Sequence, residues 1–405
     1  MSSLGVGFER VYVNTDIFQN TEQPEGRSGH SMVADESNLY VFGGYIPAYD
    51  RPLAYDSNVA NNECNKSKIL VEVWRFNFAT RKWTQLEAAG IPDTCAASCL
   101  ALHGKKLFVY GGTGYPFGQM MSNTIKVCEC RHVSKSGAGS YWYLIETNPN
   151  VYNALDSGDN MPRRAYGQSL IFHENNIYTF GGAVGFHEEA VAELHKLDVH
   201  TKTWERLAPS GDLPIGRYKQ EVACDKDRFY LFGGGRLHYA ETLAIVYAYH
   251  FKNNRWDAVA TRPDSKYGYP KCRCSFSLIQ VESLIYVCGG ITYSYGNTQQ
   301  SLDDIWTISL IDFQWRKLSV RLPEPLYFHR ASLSPSGFMY LFGGVLPSGQ
   351  RSDRIYRWRI PHHISPLSEL CWETVTRNFK SIDKETRLCL EMYYGIPNRF
   401  TERIF

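Results

Sequence analysis

Arginine recurs at one kind of position in this chain of 405 residues, directly before a short segment with the pattern of a β-strand. The stretches are "GRSGHS", "PRRAYGQS", "GRYKQE", "CRCSFS" and "FHRAS", and they contribute Arg27, Arg163, Arg164, Arg217, Arg273 and Arg330. A guanidinium group can donate two parallel hydrogen bonds to one carboxylate. Guanidinium groups that converge on one pocket repel each other unless an anion compensates their charge. The pattern therefore predicts a binding site for a carboxylate.

Four further residues near these arginines complete the candidate site: Arg236, Tyr166, Tyr218 and Ser277. The tyrosines would supply apolar walls, and the hydroxyl groups would supply neutral hydrogen bonds. A second interpretation stays open, in which the arginines pair with acids such as Glu221 or Asp303 and act as internal struts.

Three motifs that could carry catalysis or bind metal lack the partners they need. In "HEEAVAELH" (187–195), Val191 occupies the position of the second histidine of a zinc-protease helix. The pairs "CEC" (128–130) and "CRC" (272–274) have no second cysteine pair at zinc-finger spacing. Because the sequence also offers no nucleophile, phosphate loop or paired acids, it predicts a non-catalytic protein without metal or cofactor.

Composition narrows the classes of partner. The 43 basic and 41 acidic residues nearly cancel, which does not favour a nucleic-acid surface. The sequence has no apolar run of the length that a signal peptide or a membrane span requires, so no membrane partner is expected. Eleven scattered cysteines in such a chain indicate reduced thiols and a cytoplasmic or nuclear location.

A repeat organises most of the chain. Six short apolar runs each end in a glycine pair, as in "LYVFGG" and "MYLFGG", and the first glycines are residues 43, 111, 181, 233, 289 and 343. Most pairs are followed by another apolar run, a turn and a tryptophan, as in "VWRFNFATRKW". Each unit thus supplies four antiparallel strands, the content of one propeller blade.

These features resemble kelch repeats, and the resemblance implies an all-β, six-bladed kelch propeller over residues 1–361. In kelch propellers the residues before each inner strand surround one mouth of the central channel, so the arginines are expected there. Long loops at 45–68 and 132–140 interrupt the first two units.

The sixth unit lacks an outer strand of its own. Tyr356 matches the residue that stands nine positions before the tryptophan in four other units, but nine positions after it lies Ser365. Trp372 comes seven residues later, beyond two prolines that interrupt strand pairing. The N-terminus offers a spare strand with the same aromatic-x-x-aliphatic pattern. We therefore predict that residues 8–13 close the propeller by pairing with residues 355–360.

Residues 362–405 then form a separate helical module. In "SPLSELCWETV" (365–375), helical spacing places Leu367, Cys371 and Val375 on one stripe beside Leu370. This segment resembles the BC box that docks on elongin C. The later "IPNRFTERI" (396–404) resembles a cullin-2 box, whose motif residues would be Ile396, Pro397, Phe400 and Ile404. The alternative is a helical cap that packs on the propeller.

The whole chain resembles the kelch domain-containing protein 10 family, notably at "RSGHSMVADESNLYVFGGY", "HGKKLFVYGGTGYPFG" and "LCWE". The resemblance implies a substrate receptor that joins elongin B, elongin C and cullin-2 with its RING subunit. It also implies recognition of substrate C-termini, especially those ending in glycine, for ubiquitination and proteasomal degradation. The alternative function is a non-catalytic scaffold that binds actin or a signalling protein.

Overall fold

Six antiparallel sheets follow one another along the chain in the computed structural model. The structure describes residues 7–12, 23–48, 67–129, 140–149, 160–185, 189–294, 298–361, 363, 365–378 and 384–404. Most of the two long loops predicted at 45–68 and 132–140, together with Val13, lies outside the described residues. The six sheets are the blades of a β-propeller, which confirms the predicted fold.

Every blade is built from four antiparallel strands. The innermost strands are Ser31–Ala34, Cys99–His103, Ser169–His173, Glu221–Cys224, Ser277–Val281 and Arg330–Leu333. The second strands are Asn38–Phe42, Lys106–Tyr110, Asn176–Phe180, Arg228–Phe232, Leu284–Cys288 and Phe338–Phe342. The third strands are Val73–Asn77, Ile125–Glu129, Leu194–Asp198, Ile245–His250, Asp304–Ser309 and Ile355–Arg359. The outer strands are Trp83–Gln85, Ser140–Ile145, Thr203–Leu207, Arg255–Ala260, Trp315–Arg321 and, from the N-terminus, Glu9–Arg10.

Shorter strands complete the sheets and the loops. Three two-residue strands add a parallel fifth strand to blades 2, 3 and 4: Ala88–Ala89, Asn148–Pro149 and Ser210–Gly211. Small hairpins follow four of the glycine pairs: Tyr45–Ile46 with Lys68–Ile69, Ala183–Val184 with Glu189–Ala190, Gly235–Arg236 with Tyr239–Ala240, and Ile291–Tyr293 with Gln299–Ser301.

The glycine pairs join neighbouring blades. Gly43 has a φ of +64°, and a Cβ atom at this position would lie 2.1 Å from the carbonyl oxygen of Cys95 in blade 2. Gly44 donates a backbone hydrogen bond of 3.1 Å to that same carbonyl. The second glycine of every pair makes the equivalent bond to the next blade, and Gly344 completes the circle with a 2.8 Å bond to Arg27. Only glycine permits this close approach.

The outer-strand tryptophans fill the space between neighbouring blades. Trp142 of blade 2 packs on Phe42 of blade 1 with ring centroids 5.4 Å apart, and its side chain is fully buried. The same contact recurs around the propeller, and Trp83 of blade 1 meets Phe342 of blade 6 at 5.3 Å. These aromatic contacts form the cores between the blades.

The N-terminal strand closes the propeller. Glu9 pairs with Arg357 and Arg10 with Tyr356, and the amide of Val11 donates a 2.9 Å hydrogen bond to Ile355. Phe8 packs on Trp358 with ring centroids 5.7 Å apart. The predicted closure is therefore confirmed over the residues that the structure describes.

Three helices follow the last blade: α1 at Leu367–Asn378, α2 at Lys384–Met392 and α3 at Asn398–Thr401, which continues into a 3-10 turn at Glu402–Ile404. Trp372 lies in α1 rather than in a sheet, as predicted. Its ring packs on Phe400, and Leu390 and Ile404 complete a small core. None of the helices described by the structure is long and apolar enough to cross a membrane.

The helices are fixed to blades 1 and 6. Asn77 of blade 1 donates a 2.7 Å hydrogen bond to the carbonyl of Arg403, and Arg357 of blade 6 forms a 3.0 Å ion pair with Glu373 of α1. Arg357 also pairs with Glu9 of the closing strand. Burial disfavours the Arg357 charge, but Tyr340, Glu373 and Glu9 outweigh it and raise the pKa of this guanidinium. One arginine thus links the closing strand, the last blade and the helices.

Candidate functional site

Two of the predicted ligand-binding arginines are internal struts. Arg27 is fully buried and donates hydrogen bonds to the carbonyls of Glu25 and Gly43 at 2.9 and 3.1 Å. Its third partner is the carboxylate of Glu72, at 2.6 Å. Arg273 repeats this arrangement in blade 5, with the carbonyls of Lys271 and Gly289 and both carboxylate oxygens of Asp304. These guanidinium groups support the glycine turns from inside the blades.

Arg217 occupies the same position in blade 4, where Glu241 and Tyr247 are the groups that favour its charge. It donates to the carbonyls of Ile215 and Gly233 at 3.2 and 3.1 Å and is 2% exposed. Its Nη2 atom makes no hydrogen bond, and burial lowers the pKa of the group. The expectation that Arg27, Arg217 and Arg273 point into the channel mouth is therefore wrong, because each side chain runs under the glycine pair of its own blade.

Arg330 lies inside the channel rather than at its mouth. Its guanidinium pairs with Glu221 of blade 4, the acid that the strut interpretation named, and its Nε atom donates to the carbonyl of His30 at 3.2 Å. Burial raises the pKa of Glu221, and the charge of Arg330 opposes that rise. Ser277 also has a partner within the protein, because its hydroxyl donates a hydrogen bond to the carbonyl of His329 at 2.9 Å. Arg330, Glu221 and Ser277 line a cavity of about 170 Å³.

The remaining predicted residues differ in exposure. Arg164 is exposed. Arg236 is 48% exposed, lies 5.3 Å from the ring of Tyr239, and is 3.8 Å from the carboxylate of Glu241. Tyr166 and Tyr218 are buried and pack edge to face, with centroids 6.1 Å apart. The tyrosines therefore build the wall of the mouth, while the two exposed arginines lie on the loops around it.

A ring of residues with positive φ surrounds the mouth, one from each blade: Gly29, Ala97, Gly167, Lys219, Ser275 and Phe328, with φ between 51° and 68°. Backbone N–H groups of five members donate to the carbonyl of the preceding member at 2.7–3.1 Å. We call these six residues the mouth ring. Comparing the six segments before the inner strands would have revealed this position, which in five blades lies one or two residues from a residue that the sequence analysis selected.

Lys219 is the basic member of the mouth ring. Its ammonium donates to the hydroxyl of Tyr218 at 3.1 Å and lies 4.2 Å from the centroid of that ring. It also lies 5.2 Å from the ring of Phe328, which belongs to blade 6, two blades away. The lysine side chain therefore extends across the mouth.

Two buried histidines next to the mouth ring make stability depend on pH. Burial and the nearby Arg330 lower the pKa of His329 to about 3, and burial and Arg27 lower that of His30 well below its ordinary value. The unfolded chain therefore binds protons, from about pH 6.5 downward, that the folded chain excludes. We expect the free energy of unfolding to fall progressively as the pH drops from 6.5 towards 3.

Denaturant unfolding at pH 7 and pH 5 would measure this dependence. The matched variant is His329→Phe, because Phe276 occupies the equivalent position in blade 5. This variant should show a weaker pH dependence than the wild type. An unchanged dependence would contradict the assignment to His329.

The helical module presents a second candidate surface. Leu367 is 75% exposed and Cys371 is also exposed, so one end of the predicted elongin-binding stripe is open to solvent. Leu370 is half-buried, and the half-buried Val375 packs against the core of the module.

The predicted cullin-binding residues are less accessible. Phe400 and Ile404 are 6% and 3% exposed and belong to the core with Trp372. Ile396 is half-buried, and Pro397 is exposed. Direct contact of Phe400 and Ile404 with a partner is at odds with this burial, because their apolar side chains hold α3 against α1. Pro397 is the member of the motif that remains on the surface.

No metal centre is formed by the described part of the chain, where no group of three or more His, Cys, Asp or Glu residues converges. The fold, the struts and the glycine turns define the chain as a kelch β-propeller. A family model described as the KLHDC2/KLHL20/DRC7 Kelch-repeats domain matches residues 12–182 and 129–344. The solved structure of YjhT has the same fold, with a TM-score of 0.59 over 84% of this chain and 97% of that one at 14% identity.

The curated relatives narrow the class to one family. Kelch domain-containing protein 10 from Rattus norvegicus is 36% identical over 388 residues, which cover 94% of this chain and 86% of the relative. Its homolog from Drosophila melanogaster is 34% identical over 94% of this chain and 62% of the relative. Kelch domain-containing protein 2 from Bos taurus is 24% identical over 79% of this chain and 76% of the relative. The chain belongs to the kelch domain-containing protein 10 family.

Proposed function

We propose that this protein is the substrate-recognition subunit of a cullin-2–elongin B/C ubiquitin ligase, and that it binds the C-termini of its substrates at the channel mouth. The observation that carries the proposal is the open face of α1. Leu367 and Cys371 are exposed on a helix whose opposite face is held firmly, and helix-in-groove docking uses an apolar face of this kind.

Several contacts hold α1 in place for such docking. Glu369 accepts two hydrogen bonds from Arg403, at 2.8 and 2.9 Å, and Glu373 accepts one from Arg357. Trp372 is buried against Phe400. Because these anchors all lie on one side, a partner that covers Leu367 and Cys371 would not have to remodel the helix. A pre-organised surface loses less entropy on binding.

The mouth offers the charge that a chain terminus requires. Arg164 and Arg236 are exposed on its loops, and Lys219 extends across it. A carboxylate held by such cations gains charge-assisted hydrogen bonds of about 1.5–3 kcal/mol each. Backbone hydrogen bonds join neighbouring members of the mouth ring, so the opening that they surround does not widen easily. A small residue such as glycine at the ligand's C-terminus fits such an opening best.

The experiment that tests ligand recognition is calorimetric titration with three peptides of one sequence. One peptide ends in glycine with a free carboxylate, one carries the same end as an amide, and one is extended by a single residue. We expect the free acid to bind at least about tenfold more tightly than the other two. Equal affinities would contradict terminus recognition and would favour the scaffold function or an internal acidic motif.

A further inference from the structure

We infer that the ion pair between Glu221 and Arg330 is a stop that sets how far the C-terminus of a ligand can enter the channel. This inference rests on the proposed function, because it assigns a role within the same channel. It gives a physical reason why a ligand with one residue added after its terminal glycine should bind weakly.

The contacts of Arg330 span the width of the channel. Its guanidinium pairs with Glu221 of blade 4, and its Nε atom donates to the carbonyl of His30 next to the innermost strand of blade 1. Blades 1 and 4 lie on opposite sides of a ring of six blades, so these contacts form a bar across the channel. The side chains of Glu221 and Arg330 are 21% and 34% exposed, which leaves them accessible to a group that enters.

The fold does not need a charged pair at this position. Glu221 and Arg330 are each the first residue of an innermost strand and pair with the last residue of the second strand. The other four blades carry small side chains at the equivalent position: Ser31, Cys99, Ser169 and Ser277. Because a partly buried ion pair contributes little net stability, a role in binding accounts for the pair better.

The space around the pair suits one small residue. The cavity of about 170 Å³ that the pair helps to line also includes Gln168 and Gln220, which directly follow two members of the mouth ring. The cavity therefore begins next to the mouth. A cavity of about 150 Å³ can take up one benzene molecule, and a terminal glycine has a comparable number of heavy atoms. A second residue would have to displace the pair and leave its charges without partners.

The charges of the pair act on a carboxylate in opposite directions. A guanidinium has five N–H groups, so Arg330 can also donate to a carboxylate that reaches it. Glu221 weakens this attraction, because two carboxylates beside one guanidinium repel each other. The pair thus stops the chain and lets its terminal carboxylate lie against Arg330.

The test measures fluorescence polarisation of three labelled peptides of one sequence with the full chain. One peptide ends in glycine with a free carboxylate, one carries that end as an amide, and one has a single alanine added after the glycine. The wild type should bind the free acid at least about tenfold more tightly than the extended peptide. Glu221→Ser combined with Arg330→Ser, which copies blades 1, 3 and 5, should reduce this ratio to about threefold or less.

The matched control removes an ion pair away from the channel. Asp303 and Arg321 form a 3.1 Å pair beside the outer strand of blade 5, where the Arg321 side chain is 59% exposed. Asp303→Ser combined with Arg321→Ser makes the same chemical change there. This double variant should keep the wild-type ratio between the free acid and the extended peptide.

Glu221→Gln tests whether the terminus reaches the pair. Glutamine keeps the size of the side chain and an acceptor for Arg330, so the inference stays testable if the double serine variant does not fold. We expect this variant to bind the free acid about tenfold more tightly and to bind the amide as the wild type does.

The outcomes separate the inference from the proposed function. If the wild type binds all three peptides equally, the proposed function fails. If the wild type discriminates and the double serine variant rejects the extended peptide equally well, the function stands and the stop is overturned. An unchanged affinity of Glu221→Gln for the free acid would also overturn it, because the terminus would then not reach Arg330.

Discussion

Removal of residues 1–12 is expected to lower the free energy of unfolding by about 3 kcal/mol or more. The deletion removes the strand that pairs with Ile355–Arg359, and Val11, which is 5% exposed, leaves the core between blades 1 and 6. It also leaves Arg357 with one carboxylate fewer. The third strand of blade 6 then becomes a free edge. Denaturant titration followed by tryptophan fluorescence would measure the change.

Single substitutions in this strand provide the control. Val11→Ala should cost about 2 kcal/mol, because its side chain is buried between the blades. Tyr12→Ala, at the next position, should change stability by less than about 0.5 kcal/mol, because Tyr12 is 76% exposed. Equal effects of these two substitutions would contradict closure by this strand.

Leu367→Ser and Cys371→Arg are each expected to abolish co-purification with elongins B and C while the propeller stays folded. Leu367 is 75% exposed, so serine creates no cavity in the free protein. At a docked interface the same change removes the main apolar contact, and an arginine at Cys371 would place a charge there without a partner. Affinity capture from a mixture with purified elongin B–elongin C would measure the loss.

The matched control is Leu213→Ser, which changes another exposed leucine, on a propeller loop, by the same chemistry. This variant should capture elongins as the wild type does. Pro397→Ala should keep elongins and weaken cullin-2, whereas Phe400→Ala should lose both, because Phe400 belongs to the core of the helical module. Wild-type capture by Leu367→Ser would contradict the docking proposal.

The six blades could be predicted from the sequence. The glycine pairs and outer-strand tryptophans mark contacts that recur in nearly every blade, and each of these contacts needs one residue type at a fixed place. Gly44 and Trp142 illustrate this, since a Cβ atom would clash at the first and a smaller ring would leave a void at the second. The missing outer strand of the sixth unit was equally informative, because a propeller has to be closed.

The candidate site was harder to predict, because an arginine before an inner strand can turn outward or inward. The partner that holds Arg27 inside is Glu72, 45 positions away across a long loop, and no local pattern connects them. Lys219 was missed for a different reason. Its place in the mouth ring depends on a positive φ, and its reach across the mouth is seen from its distance to a phenylalanine two blades away. Neither feature is visible in the stretch "GRYKQE".

The central proposal is that one rigid propeller joins recognition of a C-terminus at its mouth to a ligase docked on its helices. The most direct measurement is ubiquitination of a reporter protein by this chain assembled with elongins B and C, cullin-2 and the RING subunit. We expect modification of a reporter that ends in glycine, and little modification when one residue is added after that glycine. Equal modification of both reporters, or none in a fully assembled complex, would contradict the account.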